Sequence, residues 1–271
     1  MSSIRFRATQ ANDLACRWNC KAGKCGSCSA EINGIPKLMC MTRMDTLNTD
    51  KPITIEPMRA FPSIRDLATD VSWNFRVKTK IKKFKPRTPD APDGTWRMQQ
   101  QDVDRVQEFR KCIECFLCQD VCHVLRDHHK HEEFIGPRFL VYTAALEMHP
   151  LDTENRLPEL KQSQGIGFCN ITKCCTKVCP EHITITDNAI IPLKERVVDD
   201  FYDPFGWLWK KDSSERLTGS FKENFRSTKR MFFLKICRVP VRNVTSHCDF
   251  SRQRRDHQDR VGSNTNCHAR V

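Results

Sequence analysis

Cys112-Ile-Glu-Cys115-Phe-Leu-Cys118-Gln-Asp-Val-Cys122 carries four cysteines in the pattern C-x2-C-x2-C-x3-C. In two-cluster ferredoxins such a run gives three thiolates to one cluster and its fourth to another, so it demands a complementary run elsewhere. Cys169-Asn-Ile-Thr-Lys-Cys174-Cys175-Thr-Lys-Val-Cys179-Pro180 supplies one. Aligned on C-x2-?-x2-C-x3-C-P, its four slots hold Cys169, Thr172, Cys175 and Cys179. One cluster then takes Cys112, Cys115, Cys118 and, crossing over, Cys179, four thiolates that suit [4Fe–4S]. The other takes Cys169, Cys175 and, crossing over, Cys122. Its fourth slot is Thr172, a poor iron ligand, and three thiolates suit [3Fe–4S]. Cys174 adjoins Cys175, so its side chain is expected to point elsewhere.

A third group lies upstream. Cys20-Lys-Ala-Gly-Lys-Cys25-Gly-Ser-Cys28, followed by Cys40, is C-x4-C-x2-C…C, the plant-type ferredoxin spacing for [2Fe–2S]. Gly23 and Gly26 let such a loop turn sharply and aim N–H groups at sulfur. Zinc, which four thiolates also suit, is the alternative; the glycine-bearing loop favours iron–sulfur. Ser29–Ile32, Asn33-Gly34 and Ile35–Met39 read as two strands joined by a type I′ turn, which returns Cys40 to the loop.

The 271 residues include 16 cysteines, with 39% hydrophobic and 29% charged residues. That is a globular composition of about two domains. It has too many thiols for an ordinary cytosolic enzyme and too long a chain for a small disulfide scaffold. No apolar run approaches the ~18 residues of a membrane span, and Met1–Arg7 lacks the apolar core of a secretory signal. The net charge is +12, but residues 211–271 carry 14 Lys/Arg and 6 Asp/Glu, a net +8. A zinc-stabilised nucleic-acid-binding protein is therefore a weak reading, and no nucleic-acid partner is expected.

Four segments emerge. Residues 1–75 read as the β-rich [2Fe–2S] unit, with Pro52–Glu56 as a further strand and a short helix opened by Pro62 and carrying Ile64, Leu67, Ala68 and Val71. Residues 76–95, with seven Lys/Arg between Arg76 and Arg87 and then Pro86, Pro89 and Pro92, read as a linker without a packed element. Its basic run is either a solvated face or a dock for an acidic partner. Residues 96–210 read as helical, with helices opened by Pro137 and Pro192. Residues 211–271 keep no apolar period and read as a disordered tail, dispensable for cluster binding. His123, His128, His129 and His131 read as a polar helix end or as the lining of a quinone site beside the [3Fe–4S] cluster; His182 reads as structural. Phe201, Tyr202, Phe205, Trp207 and Trp209, next to Lys210 and Lys211, suit either a membrane interface or the packed end of the domain. With Cys174, four further cysteines are left over: Cys16, which fits the first ligand slot less well than Cys20, and Cys237, Cys248 and Cys267, which read as incidental free thiols.

Three cluster motifs in this order resemble the iron–sulfur subunit of succinate dehydrogenase and fumarate reductase, most closely its actinobacterial type. The resemblance covers residues 10–210. It rests on Arg17-Trp-Asn-Cys20 through Gly34, Phe109-Arg-Lys-Cys112 through Cys118, Gly136-Pro-Arg138 and Cys169-Asn-Ile-Thr-Lys-Cys174-Cys175. It implies an α+β chain: a plant-type ferredoxin-like β-grasp unit followed by a helical bacterial-ferredoxin-like domain. It also implies an FAD flavoprotein partner that oxidises succinate, and a relay through [2Fe–2S], [4Fe–4S] and [3Fe–4S] to a quinone. Membrane anchor subunits would hold the chain peripherally on the cytoplasmic face. A soluble carrier serving another flavin-linked reductase is the second reading. This chain departs from the family in three ways. Only 19 residues precede Cys20, which leaves room for an incomplete β-grasp sheet and an exposed, labile cluster there. His123, in place of the family's Pro and Trp, follows Cys122. Nothing in the family matches residues 211–271.

Overall fold

The structure, a computed structural model, describes residues 9–202, all within one compact unit. The expectations for residues 203–271, including Trp207, Trp209 and the tail, lie outside the described residues.

Strand β1 (Ser29–Ile32) pairs with β2 (Ile35–Leu38) in antiparallel register Ser29↔Leu38 to Ile32↔Ile35. The turn between them puts Asn33 at φ 51° and Gly34 at φ 74°, both left-handed, as a type I′ turn requires. Asn33 also accepts the Thr54 N–H through its side-chain oxygen at 2.9 Å. That contact guides β3 (Ile55–Glu56) onto the other edge of β1, giving the order β2-β1-β3. The sheet has two covered faces. Ala30 and Ile32 are buried on one side, the isoleucine side chain being worth about 1.5–3 kcal/mol when removed from water. Ser29 and Glu31 alternate onto the other face, where the helical half covers them: Ser29 Oγ donates to Cys115 O at 2.8 Å. Glu31, fully buried, accepts from Arg126 at 3.0 Å and lies 3.3 Å from Arg59.

Two local expectations are corrected. The helix expected after Pro62 is a hairpin, β4 (Ser63–Arg65) and β5 (Ala68–Thr69), turning at Asp66 with φ 47°. The four apolar residues do not share a face: Leu67 is buried while Ile64 is 70% exposed. Asp66 accepts from Ala15 N at 2.8 Å and Leu67 N donates to Ala15 O at 3.0 Å, so a long-range strap outweighs the helical period.

The second correction concerns residues 76–95. Helix α1 (Ser72–Lys80) runs into this segment, with Val77 and, just beyond it, Ile81 in the larger core. Arg156, fully buried, donates to Lys82 O and Lys83 O at 2.9 and 2.7 Å and pairs with Asp152 at 2.8 Å. Farther on, Arg87 N donates to Leu151 O at 2.9 Å. The segment is therefore packed along much of its length. Two apolar residues four apart among seven basic ones are a weak sequence signal, and the arginine that ties the backbone down lies about 70 residues away.

The helical half comprises α2 (Gln100–Gln107), a 3-10 turn (Glu108–Lys111), α3 (Leu117–Asp120), α4 (His123–Arg126), α5 (Gly136–Glu147), α6 (Leu157–Gln162), α7 (Cys174–Lys177) and α8 (Ile191–Phe201). Pro137 and Pro192 both stand in the first turn of their helices, as read from the sequence. A π-helical turn, Ile185–Ile190, leads into α8. The core joins Phe109, Phe139, Leu140, Ile190 and Leu193 to Met58, Phe61 and Val71 from the β-rich end. Glu108 accepts Thr184 N at 2.6 Å, tying the start of the first cysteine run to the residues just after the second.

Candidate functional site

The two cysteine runs fold alike. Each follows a 3-10 turn, Glu108–Lys111 before Cys112 and Ile166–Phe168 before Cys169. Each then takes left-handed backbone at its third and fifth residues: Glu114 and Phe116 in the first run, Ile171 and Lys173 in the second, with φ from 54° to 62°. Each passes straight into a four-residue helix, α3 or α7. Such backbone is strained for residues with a Cβ, so its recurrence at identical offsets is a structural repeat. It pairs Cys112 with Cys169, Cys115 with Thr172, Cys118 with Cys175 and Cys122 with Cys179, the alignment read from the sequence. Cys174 falls opposite Leu117.

The repeat exchanges its last cysteines between two cavities. One cavity is bordered by Cys112, Cys115, Cys118 and Cys179. A second is bordered by Cys122, Cys169, Cys175 and Thr172. The cysteines that counting groups together thus border one cavity each, Cys122 and Cys179 exchanged between the runs. Cys174 borders the second cavity too, and its Sγ lies 3.8 Å from Thr172 O, so it does not point wholly elsewhere. Neighbouring positions at a helix start diverge by about 100°, and a wide cavity accommodates both.

Burial sets the protonation of the thiols. Burial pushes Cys115 up to about 12 and Cys122 up to about 11, and it raises Cys118 as well. Raised in this way they stay neutral thiols at pH 7 unless a bound metal draws off their protons. Ile183 N donates to Cys179 Sγ at 3.4 Å. The π-turn, a device frequent at functional sites, places Thr186 Oγ1 3.6 Å from Cys175 Sγ. Lys194 donates to the carbonyl of Cys169. Among the described residues no three His, Cys, Asp or Glu side chains are grouped so as to hold a single metal ion.

The third group is built by the loop before β1. Ala22 N and Lys24 N donate to Cys20 Sγ at 3.4 and 3.3 Å, and Cys40 N to Cys28 Sγ at 3.5 Å. The β1–β2 hairpin brings Cys40 back, with Met39 N bonded to Cys28 O at 3.0 Å. Hydrogen bonding from the Ser27 side chain, foremost among several, draws the Cys25 thiol down to about 6, while burial pushes Cys28 up to about 11. Cys20 is exposed, whereas Cys25 and Cys40 are half-buried and Cys28 is buried.

The histidines divide. His123 borders the second cavity, and its ring centroid lies 6.1 Å from that of His128. His131 is structural: its Nε2 donates to Ala60 O at 2.8 Å, and its ring stands edge-on to Trp73 at 4.9 Å. Two contributors escaped the sequence reading as site residues. Arg138 borders the first cavity, and Glu114, between two ligand positions, accepts from Arg138 at 2.7 Å. The sequence cues were a charged residue inside a cysteine run and the Gly136-Pro-Arg138 motif, neither of which links the two residues.

Residues 3–76 match the family model of a 2Fe-2S iron-sulfur cluster binding domain, and residues 108–183 that of a 4Fe-4S dicluster domain. The fumarate reductase iron–sulfur subunit of Mycobacterium tuberculosis is 33% identical over 175 residues, 63% of this chain and 69% of the relative. The succinate dehydrogenase iron–sulfur subunit of Bacillus subtilis is 30% identical over 208 residues, 75% and 80% of the two chains. The chain belongs to the succinate dehydrogenase and fumarate reductase iron–sulfur subunit family. Within this family, a chain of the Mycobacterium smegmatis Sdh1 complex in the apo form is 62% identical, with a TM-score of 0.71 over 74% of this chain and 84% of that one. As in the family, a [2Fe–2S] ferredoxin-like domain with small sheets precedes a helix-rich dicluster domain, and the chain is an electron-transfer component of an oxidoreductase complex.

Proposed function

We propose that Cys20, Cys25, Cys28 and Cys40 hold [2Fe–2S], that Cys112, Cys115, Cys118 and Cys179 hold [4Fe–4S], and that Cys122, Cys169 and Cys175 hold [3Fe–4S]. The observation that carries this is the crossed pairing of thiols around two cavities by loops of matching backbone. The bound clusters supply one-electron chemistry between an FAD flavoprotein, where succinate or fumarate reacts, and a membrane quinone.

The protein's own part is positional. The Ser29–Cys115 hydrogen bond fixes the [2Fe–2S] loop against the first dicluster loop. Apolar side chains such as Phe116, Val141 and Ile183 border the first cavity and keep water from it. His123, beside the three-thiol cavity, is our candidate for quinone contact and can exchange protons near neutral pH. No helix among the described residues is long and apolar enough to cross a membrane. Peripheral attachment to the cytoplasmic face through anchor subunits is the reading we adopt.

Co-expression with the flavoprotein and anchor subunits tests this. A complex with iron and acid-labile sulfide for one centre of each kind, reducing quinone with succinate, is the expected result. Stoichiometric zinc, or a chain that purifies without a flavoprotein, would contradict it.

A further inference from the structure

Arg138 is an unusual wall for the four-thiol cavity. Only 6% of it is exposed, and a buried guanidinium is costly unless its donors are matched. One Nη2–H donates to Glu114 Oε1 at 2.7 Å, yet Nε is buried with no hydrogen-bond partner in the protein. Lys78 donates to the same Glu114 oxygen at 2.6 Å. Two cations thus share one carboxylate, leaving one net positive charge beside Cys112, Cys115, Cys118 and Cys179. The cavity's other acid, Glu181, has its own partner in Lys24 at 3.4 Å. The acceptor that Nε lacks is what a sulfur-rich, anionic group in the cavity would supply.

We propose that Arg138 sets the reduction potential of the centre in this cavity, raising it through an unmatched guanidinium N–H, with Glu114 trimming that charge and Lys78 restoring part of it. This rests on the assignment of Cys112, Cys115, Cys118 and Cys179 as ligands of one cluster. Gaining one electron, with no proton, makes the site one unit more negative. A fixed positive charge in apolar surroundings therefore stabilises the reduced form, and a fixed negative charge destabilises it.

Potentiometric EPR titration of the intact complex tests the proposal. Arg138→Gln should lower the midpoint of this centre by at least a tenfold change in its one-electron equilibrium, 59 mV. Glu114→Gln should raise it. Lys78→Gln, whose side chain is 39% exposed, should lower it less, because solvent screens it. Shifts of opposite sign distinguish charge from structural damage, and Glu114→Gln decides the matter if Arg138→Gln fails to assemble. Midpoints unmoved by both changes, or moved the same way by both, would overturn the proposal. The ligand assignment fails separately, and takes the proposal with it, if Cys179→Ser leaves the titrated signal intact.

Discussion

Replacing Thr172 by cysteine is expected to abolish the EPR signal of an oxidised three-iron centre and to yield a four-iron centre in its place. The backbone repeat sets Thr172 opposite Cys115, with matching left-handed residues on either side. The side chain there borders the cavity of Cys122, Cys169 and Cys175. A neutral, hard hydroxyl does not hold iron at pH 7, whereas a thiolate does. The added thiolate and iron change the charge of the site, so its potential should fall. Transfer onward to quinone then becomes more downhill and filling from upstream less favourable. Cys174→Ser is the control. It occupies the slot of Leu117, a non-ligand position, and should leave the three-iron signal in place. A wild-type complex with full iron and no such signal would show the three-thiol assignment to be wrong.

Gly26→Ala should disable two centres at once. Gly26 has φ +67°, and a Cβ added there would stand 2.6 Å from Cys115 Cα and 2.9 Å from Cys115 N. These are backbone atoms, so relief requires moving either the [2Fe–2S] loop or the first dicluster loop. Left-handed backbone costs an alanine about 1–2 kcal/mol, and forced overpacking about 1–3 kcal/mol more. A combined loss of roughly 2–5 kcal/mol is a large share of the 5–15 kcal/mol typical of a folded domain. The expected result is a markedly lower Tm, with reduced signals from the centres of Cys25 and Cys28 and of Cys115. Gly34→Ala separates the two causes. Its φ of +74° imposes the strain, but nothing lies within 4 Å of the added Cβ, so it should cost only the backbone term and keep both centres. A Gly26→Ala complex with full iron and wild-type Tm would contradict this packing.

The sequence made the site more legible than the fold around it. Ligand spacing is local and chemically strict, so counting slots paired Cys179 with the first run and Cys122 with the second, and the two cavities group the same thiols. The Asn33-Gly34 turn and the helices opened by Pro137 and Pro192 were legible for the same reason, because each signal lies within a few residues. What escaped is held by distant partners. Asp66 turns a hairpin because Ala15 straps it. Residues 82 and 83 are pinned by Arg156. Glu31, mid-strand, is buried because Arg126 reaches it across 95 positions. The role of Arg138 was hidden for the same reason: its neighbours in the chain are apolar, and its carboxylate partner lies 24 residues upstream, inside a cysteine run.

Single cysteine-to-serine changes at Cys179 and at Cys122, read by EPR of both dicluster centres in the intact complex, test the crossed ligation most directly. With crossed ligands, Cys179→Ser, although it lies in the second run, disrupts the four-iron centre and leaves the three-iron signal; Cys122→Ser, in the first run, does the reverse. If each change instead disables the centre of its own run, the two runs are not crossed, and Cys122 and Cys179 belong to the opposite ligand sets.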